Sequence, residues 1–469
     1  MNLFKLQKSS MCGMAHIIKC IPQRWIDELQ EQFGIQTRSI SMHDQLVAHI
    51  TAQLGGYTSL RDLVTGMQVH ASQLAQIRNG HVPSRNGLAH ANATRPAAFM
   101  RELFYRVLRW LDKSFPDFFR SGRSCPALPQ RLRKLVYAVD STTIGLAAKA
   151  IDWAQKSRSK AGIKVHTVLD VRSMIPRVVN ITSARTADAA VAPELCESMG
   201  KGDISIFDRG YLAARHLWRL TLRGIRWVTR AKRSSAIRVV GQPMVDLLHP
   251  EALGGASETS RKAPRGRRRS RRTASAGPAI NVGQLAADAD IDDPRGKIPM
   301  PRKGDCRILF DAKVILADPK TSQLYPGPMR LVVADVPVRG KMRRLAFLTN
   351  YFRWDAETVC AIYRARWTIE AFFKQLKQTL QIKAFLGNGE NAVAWQVWAS
   401  LLTYVLCKFI AWRDRWRGAF SGLVILLRAI LWNYFDLAFA VANWHLIRER
   451  RPIPRAPPPR QLLLPGLSR

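Results

Sequence analysis

Acidic residues are scarce in this chain. Among its 469 residues, 34 Asp and Glu face 73 Lys and Arg, a formal net charge of +39. So positive a field makes nucleic acid or an acidic membrane surface the natural partner, with a ribosome-like or packaging role as the blander alternative. A long uninterrupted apolar run is also lacking. The stretch 397–411 contains Lys408 and is too short to span a bilayer, and 420–444 is interrupted by Arg428, Asn433 and Asp436. Both read as buried core helices. Residues 1–20 carry Lys5, Lys8, His16 and Lys19 and show neither a clean apolar stretch nor a small-residue cleavage site, so no signal peptide is expected. These lacks together predict a soluble, cytoplasmic protein without a membrane partner. The seven cysteines include no CxxC pair, which argues against a disulfide framework and fits a reducing compartment. Cys12, His16 and Cys20 share helical i, i+4, i+8 spacing, but no fourth ligand lies nearby, so a coincidental helix face is the better reading than a metal site. No internal repeat is visible, which sets a solenoid aside.

What is present is enough hydrophobic sequence, 47%, to bury a core. The length suggests about two to four domains. Residues 42–112 read as helices, with Leu60, Leu63, Val64, Met67 and Leu74 at helical spacing. A break falls at Asn79-Gly80, and Ser84 or Asn86 is placed to cap the next helix. This helix–turn–helix rhythm suits a DNA-reading module, and a helical bundle that only packs on the core is the alternative. From residue 133 the pattern changes. Short apolar or alternating runs at 135–139, 165–171, 177–182, 204–207 and 225–229 read as strands, with helices at 187–199 and 213–222. Three strands, helix, strand, helix, strand is an order that fits a ribonuclease H-like α/β core.

Residues 231–345 interrupt that rhythm. Between Arg261 and Arg272 eight of twelve positions are Arg or Lys among Pro, Gly and Ser, a solvated charge run or a non-specific grip on phosphates. Strands are predicted again at 306–317, 329–338 and 344–348, and helices from Ala356 onward to a Pro-rich tail at 452–465. The expected organisation is therefore an N-terminal arm (1–41), a helical DNA-binding domain (42–125), the first part of the core (126–230), a largely β insertion (231–345), the second part of the core (346–412) and a helical C-terminal region with its tail (413–469).

Asp140 and Asp208 each end an apolar strand, where a side chain is held rigidly yet stays accessible. Aspartate often terminates strands, so neither is decisive alone. The segment 362–380 reads as one helix without Gly or Pro. Tyr363, Arg366, Glu370 and Lys377 then fall within about 60° of one another on its circumference. Lys374 joins them, and Ala365, Ile369, Phe372, Leu376 and Leu380 make a separate apolar face. A lone carboxylate flanked by cations results; a surface Glu370–Lys374 pair would explain only part of it.

These residues resemble a known signature. Asp140-Ser-Thr, Asp208-Arg-Gly-Tyr and the Y-x2-R-x3-E-x6-K pattern at Tyr363, Arg366, Glu370 and Lys377 are similar to those of bacterial insertion-sequence transposases of the insertion-sequence-four family, which are DDE recombinases. Residues 88–95 resemble the family's N-terminal module, Ala187-Asp188 follows the third strand as in the family, and the gap of 370 − 208 = 162 residues matches a β insertion. The resemblance implies a ribonuclease H-like (retroviral integrase-like) core. It implies that Asp140, Asp208 and Glu370 are the catalytic carboxylates and bind two Mg²⁺ ions, with Mn²⁺ able to substitute. It implies that Tyr363, Arg366, Trp367, Lys374 and Lys377 contact DNA, Trp367 as a stacking platform for a displaced base. The partners would be the terminal inverted repeats and target duplex, bound by a homodimer on the bacterial nucleoid. One departure stands out: relatives that use a DNA hairpin place a second stacking Trp late in the insertion, and here none lies between Trp227 and Trp354. Tyr325, Phe347 and Trp354 are the candidate substitutes. A nuclease that cuts without joining, and a silent DNA-binding derivative, are the rival readings.

Overall fold

The described residues of this computed structural model are 9–120, 134–146, 151–157, 160–248, 278–286, 306–338, 341–380 and 385–443, with 128, 129, 132 and 382. The Arg-rich run at 261–272 and the tail at 452–465 lie outside them. The chain divides into two compact units. One is Met1–Tyr105 with Gln378–Gly387 and Asn391–Arg469; the other is Arg106–Lys377 with Asn388–Glu390.

The second unit is built on a mixed sheet. Its strands are β1 (Val136–Leu146), β2 (Gln155–Ser157), β3 (Lys160–Asp170), β4 (Ile175–Ser183), β5 (Ile204–Phe207), β6 (Arg226–Arg230), β7 (Ala236–Val239), β8 (Val245–Asp246), β9 (Ala279–Asn281), β10 (Arg307–Leu316), β11 (Met329–Val338) and β12 (Lys341–Thr349). The order is β2-β3-β1-β5-β6-β12-β11-β10-β7-β9, with β4 also on β3 and β8 also on β10. β1, β5 and β6 run parallel, whereas β3 and β4 are antiparallel to their neighbours. Val136–Val139 and Ile204–Phe207 are buried throughout, as strands covered on both faces must be. Val139, Phe207 and Trp227 join Val191, Leu195, Leu217 and Leu220, from the helices Asp188–Leu195 and Ala214–Leu222, in one core cluster.

One feature differs from the sequence-based expectation. β1 does not end at Asp140. It continues to Leu146 because β3 pairs with it over that whole length, from Tyr137↔Asp170 to Leu146↔Ala161. The strands of the β insertion extend the same sheet, a placement the sequence left open, because β12 pairs with β6 (Leu348↔Thr229). Inside the extension Arg330 of β11 holds Asp311 of β10 bidentately, Nε–Oδ1 2.8 Å and Nη2–Oδ2 2.6 Å, with both side chains almost wholly buried. Arg330→Ala leaves a buried carboxylate without its partner, which typically costs about 3–5 kcal/mol. Urea unfolding of the full chain, followed through the sheet's transition, should show that loss; an unmoved midpoint would mean the pair contributes nothing.

The first unit is helical. Helix Met42–Gly55 is buried from Met42 to Leu54. It opens with a capping box in which Ser41 Oγ accepts from Asp44 N (2.9 Å) and Asp44 Oδ2 accepts from Ser41 N (3.2 Å), and it ends at Gly56, whose φ of 74° suits glycine. Burial would raise the Asp44 pKa, but hydrogen bonds from His43, Ser41 and the His81 backbone outweigh it and hold the value at about 2. The break at Asn79 is real: Arg78 and Asn79 both adopt positive φ, 57° and 54°. Ser84 then caps helix Arg85–Thr94 by accepting from Gly87 N at 3.1 Å.

The apolar run at 397–411 belongs to a longer helix than expected, Glu390–Arg413. Among the described residues it is the one helix long and apolar enough to cross a membrane, and 89% of its most apolar window is buried inside the protein. The burial has specific partners in the N-terminal helices. Trp395 stacks on His49 (5.4 Å between centroids) and Phe99 (5.9 Å), and Asn391 Nδ2 donates to the Asn92 carbonyl at 2.9 Å. The helices after 390 thus share a unit with the N-terminal ones.

Candidate active site

Strand register brings the two aspartates together. β1 and β5 pair in parallel up to Val139↔Phe207, so Asp140 and Asp208 are the next residues on adjacent strands. Neighbouring strands lie about 5 Å apart. Asp140 and Asp208 are both half-buried, the Asp140 side chain 19% exposed. Asp208 precedes the single turn Arg209–Tyr211 and makes no capping bond there, so its carboxylate is not spent on the backbone.

Glu370 arrives from a helix that is not continuous. The first helical stretch, Ala356–Arg364, closes with an i→i−3 bond (Arg366 N to Tyr363 O, 3.0 Å), and the next opens with another (Ile369 N to Arg366 O, 3.0 Å). It resumes as Trp367–Lys374 and widens into a π-turn at Gln375–Thr379. Tightening and widening alter the rotation per residue, so one 100° wheel does not describe the face. The apolar side is as expected: Ala365, Ile369, Phe372, Leu376 and Leu380 are all buried. The polar side divides. Trp367, Glu370 and Lys374 are exposed, while Tyr363 turns inward, 5% exposed, against Phe347 (4.9 Å between ring centroids). The Tyr363 hydroxyl donates to Asp208 Oδ1 at 3.5 Å. Lys377 Nζ donates to the Thr143 carbonyl of β1 at 2.9 Å, which ties the helix to the strand bearing Asp140.

Arg366, which the resemblance places on DNA, lies between two of the carboxylates in this DNA-free structure. Its Nη1 donates to Asp140 Oδ2 at 2.9 Å and its Nη2 to Glu370 Oε1 at 2.6 Å. Burial works against the guanidinium's charge, but Tyr363, Asp140, Asp208 and Glu370 around it outweigh burial and push its pKa up. Asp140 shows the converse. Its carboxyl is pushed up to about 6: burial raises it most, Arg366 and the Ser141 backbone pull it down, and the charges of Asp208 and Glu370 add to the rise. All three carboxylates therefore feel one another across a single guanidinium.

Among the described residues, no three His, Cys, Asp or Glu side chains are gathered tightly enough in this conformation to enclose an ion. The donor set nevertheless fits a divalent cation. It is all carboxylate oxygen, and the place between Asp140 and Glu370 is one where a positive group already sits.

Beside Glu370 opens a cavity of about 480 Å³, lined by Trp367, Tyr363 and Arg366 together with Arg230 and Arg343, which sequence reasoning missed. Nothing in the local sequence distinguishes these two from the chain's many other arginines; only the β6–β12 pairing brings them here. Of the aromatic substitutes considered for a second stacking tryptophan, Tyr325 and Phe347 are each 1% exposed and committed to the core. Trp354 is half-buried against Tyr351.

Known families and proteins match the chain as follows. A family described as a transposase DDE domain matches residues 131–406, and a domain family of unknown function matches residues 13–77. A protein described as transposase y4zB of Sinorhizobium fredii (strain NBRC 101917 / NGR234) is 28% identical over 335 residues, 71% of this chain and 73% of that protein. A protein described as a transposase for insertion sequence element IS5377 of Geobacillus stearothermophilus is 23% identical over 280 residues, 60% of this chain and 58% of that protein. Among solved structures, the piggyBac transposase synaptic complex with hairpin DNA aligns over 94% of this chain and 80% of that one, at 11% identity and a TM-score of 0.37.

Proposed function

Because the chain belongs to the transposase DDE domain family, an enzyme family that cleaves DNA and transfers its strands, we propose that it is the cut-and-paste transposase of an insertion sequence. Asp140, Asp208 and Glu370 are its catalytic carboxylates. The observation that carries this assignment is the convergence of the three residues: two on adjacent parallel strands in matching register, the third bridged to the first by Arg366. The order β4-β3-β1-β5-β6, with the last three parallel, supports reading the core as ribonuclease H-like.

The carboxylates would hold divalent metal, Mg²⁺ by preference, which when bound polarises the attacking oxygen and steadies the departing one. The chain's own residues do the rest. Tyr363 orients Asp208 through its hydroxyl and meets DNA no more closely than that. Arg366, released from Asp140 and Glu370, presents its planar fork to a phosphate. Exposed Trp367 lines the cavity where a displaced base would lie, and exposed Lys374, on the same helix, would meet a phosphate of the DNA. Lys377 holds the helix to β1 and, at its exposed edge, adds positive charge near the backbone of the DNA. The ends would be brought together by two copies of the chain.

A duplex taken from the DNA flanking the gene should be nicked at the element boundary by the full-length protein. Its 3′ ends should then be joined to a target plasmid, only when Mg²⁺ or Mn²⁺ is added. Cutting without joining would favour the nuclease reading; neither would favour the silent derivative.

We further propose that the first unit reads the inverted repeats, through the exposed face of helix Arg85–Thr94, where Arg85, Asn86 and His90 face solvent. Truncation is a poor test, because the N-terminal helices cover the apolar helix Glu390–Arg413. Arg85→Ala with Asn86→Ala is better. The pair should erase preference for the element's own end, costing about 1–3 kcal/mol for each base no longer read. Competition binding against random duplex measures this, and an unchanged preference would return the helix to a packing role.

A further inference from the structure

Ser141, Asp188 and Tyr211 belong to the sequence motifs but have no part in the chemistry above. They meet one another. Asp188 is the first residue of helix Asp188–Leu195, yet its carboxylate is turned to the sheet. Its Oδ1 accepts from Ser141 Oγ at 2.8 Å and lies 3.2 Å from Lys164 Nζ and 3.6 Å from His166 Nδ1. Ser141 follows Asp140 directly, and its backbone N–H donates to Asp140 Oδ1 at 2.8 Å. His166, fully buried, faces Ser141 across the β1–β3 register. Its Nδ1 is 3.4 Å from the Tyr211 hydroxyl and its Nε2 is 3.0 Å from Thr182 Oγ1. Burial keeps the imidazole neutral, with its pKa down at about 4, so Lys164 is the standing positive charge beside Asp188. Lys164 is itself fixed by donating to the Thr186 carbonyl at 2.7 Å.

The other end of this group lies behind Asp208. Tyr211, 1% exposed, closes the turn that begins right after that residue. A Cβ on Gly210 of the same turn would sit 3.5 Å from Asp188 Oδ2, so the carboxylate passes close over the turn. Asp188 therefore bonds to the residue after one of the two aspartates and lies against the turn after the other.

We propose that Asp188 is a positioning residue for strand cleavage. By holding Ser141 on one side and lying against the Arg209–Tyr211 turn on the other, it fixes the separation of Asp140 and Asp208, and Lys164 balances its charge so that it does so without adding a fourth negative centre. The inference rests on reading Asp140 and Asp208 as the catalytic pair. It gives Ser141, Gly210 and Tyr211 a common purpose: a hydroxyl that Asp188 can grip, a residue without a side chain where the carboxylate passes, and a ring that closes the group from below. Residues that orient metal-binding side chains typically change metal affinity by about 10- to 100-fold when removed.

The test uses the full-length protein and Mn²⁺ as the probe, with bound ion counted by electron paramagnetic resonance. Asp188→Ala should weaken Mn²⁺ binding by roughly 10- to 100-fold, keep a cooperative melt, and recover cutting when Mn²⁺ is raised. Asp188→Asn, which still accepts from Ser141, should lose less. Mn²⁺ binding by Asp188→Ala within about twofold of the parent would overturn the proposal. So would a loss of cutting that no Mn²⁺ concentration restores, which would make Asp188 part of the reacting centre itself. Should Asp188→Ala fail to fold, Ser141→Ala removes only the hydroxyl and carries the same expectation at smaller size; normal Mn²⁺ binding by that variant would overturn it equally. Asp140→Ala, run in parallel, reports on the catalytic reading alone: if it cuts, that reading fails by its own readout.

Discussion

Asp140→Ala, Asp208→Ala and Glu370→Ala should each bring DNA cutting and joining down by on the order of a thousandfold or more, since metal activation is worth several kcal/mol and each 1.36 kcal/mol is tenfold in rate. Binding to the element's end should survive in all three. That affinity comes chiefly from Lys and Arg contacts to phosphate, and each substitution makes the protein less negative, not less positive. The three variants should not behave alike in other respects. Glu370 is 44% exposed, so its loss should hardly change thermal stability. Asp140 is largely enclosed and holds Arg366 at 2.9 Å, so its removal leaves a still more enclosed guanidinium with one partner fewer. Cleavage measured at saturating protein, beside a melting curve, separates the catalytic effect from the structural one. A variant that cuts at the parent's rate would leave the site without that carboxylate.

The second large effect concerns Arg366, and its direction is unusual for a residue in a catalytic centre. In the DNA-free protein its two terminal nitrogens are given to Asp140 and Glu370. A cation entering between those carboxylates must first displace them, and hydrogen bonds to charged groups are worth about 1.5–3 kcal/mol each. Arg366→Ala should therefore bind Mn²⁺ more tightly than the parent, by about tenfold or more, and yet cut more slowly, because no fork remains to take the phosphate. Arg366→Lys should fall between on metal and still be slow on DNA, since one ammonium cannot span two carboxylates or grip a phosphate bidentately. Mn²⁺ titration without DNA and single-turnover cutting with it give the two readouts. Weaker metal binding in Arg366→Ala would show that the guanidinium supports the carboxylates rather than competing for them.

Much of this architecture was legible in the sequence because buried strands announce themselves. The apolar runs at 204–207 and 329–338 coincide with β5 and β11, and the Asp after each of the apolar runs 135–139 and 204–207 marked where side chains could meet, although β1 itself runs on past Asp140. The π-turn at Gln375–Thr379 was not legible: the segment has good helix formers and neither Gly nor Pro. The widening comes from packing, with Leu376 and Leu380 buried on one side and Lys377 reaching Thr143 on the other. Nor could sequence show that Arg366 faces inward, because helix phase alone cannot reveal the tight i→i−3 bonds around it. The pairing of β12 with β6 was hidden for a different reason: nothing in the intervening residues records which distant edge a strand will choose.

The far end of the sheet has a consequence of its own. β8 is held on β10 at Phe310↔Asp246, and β9, the next described strand, is held on β7 at Ile237↔Ile280. β7 is itself fastened to β10 through Leu316↔Ile237, so both are anchored to the same few strands. β1 and β5, which position Asp140 and Asp208, keep their register through a pairing of their own, and β6, β12 and β11 stand between them and β10. A disturbance at that rim therefore has three strands to cross before it reaches the carboxylates.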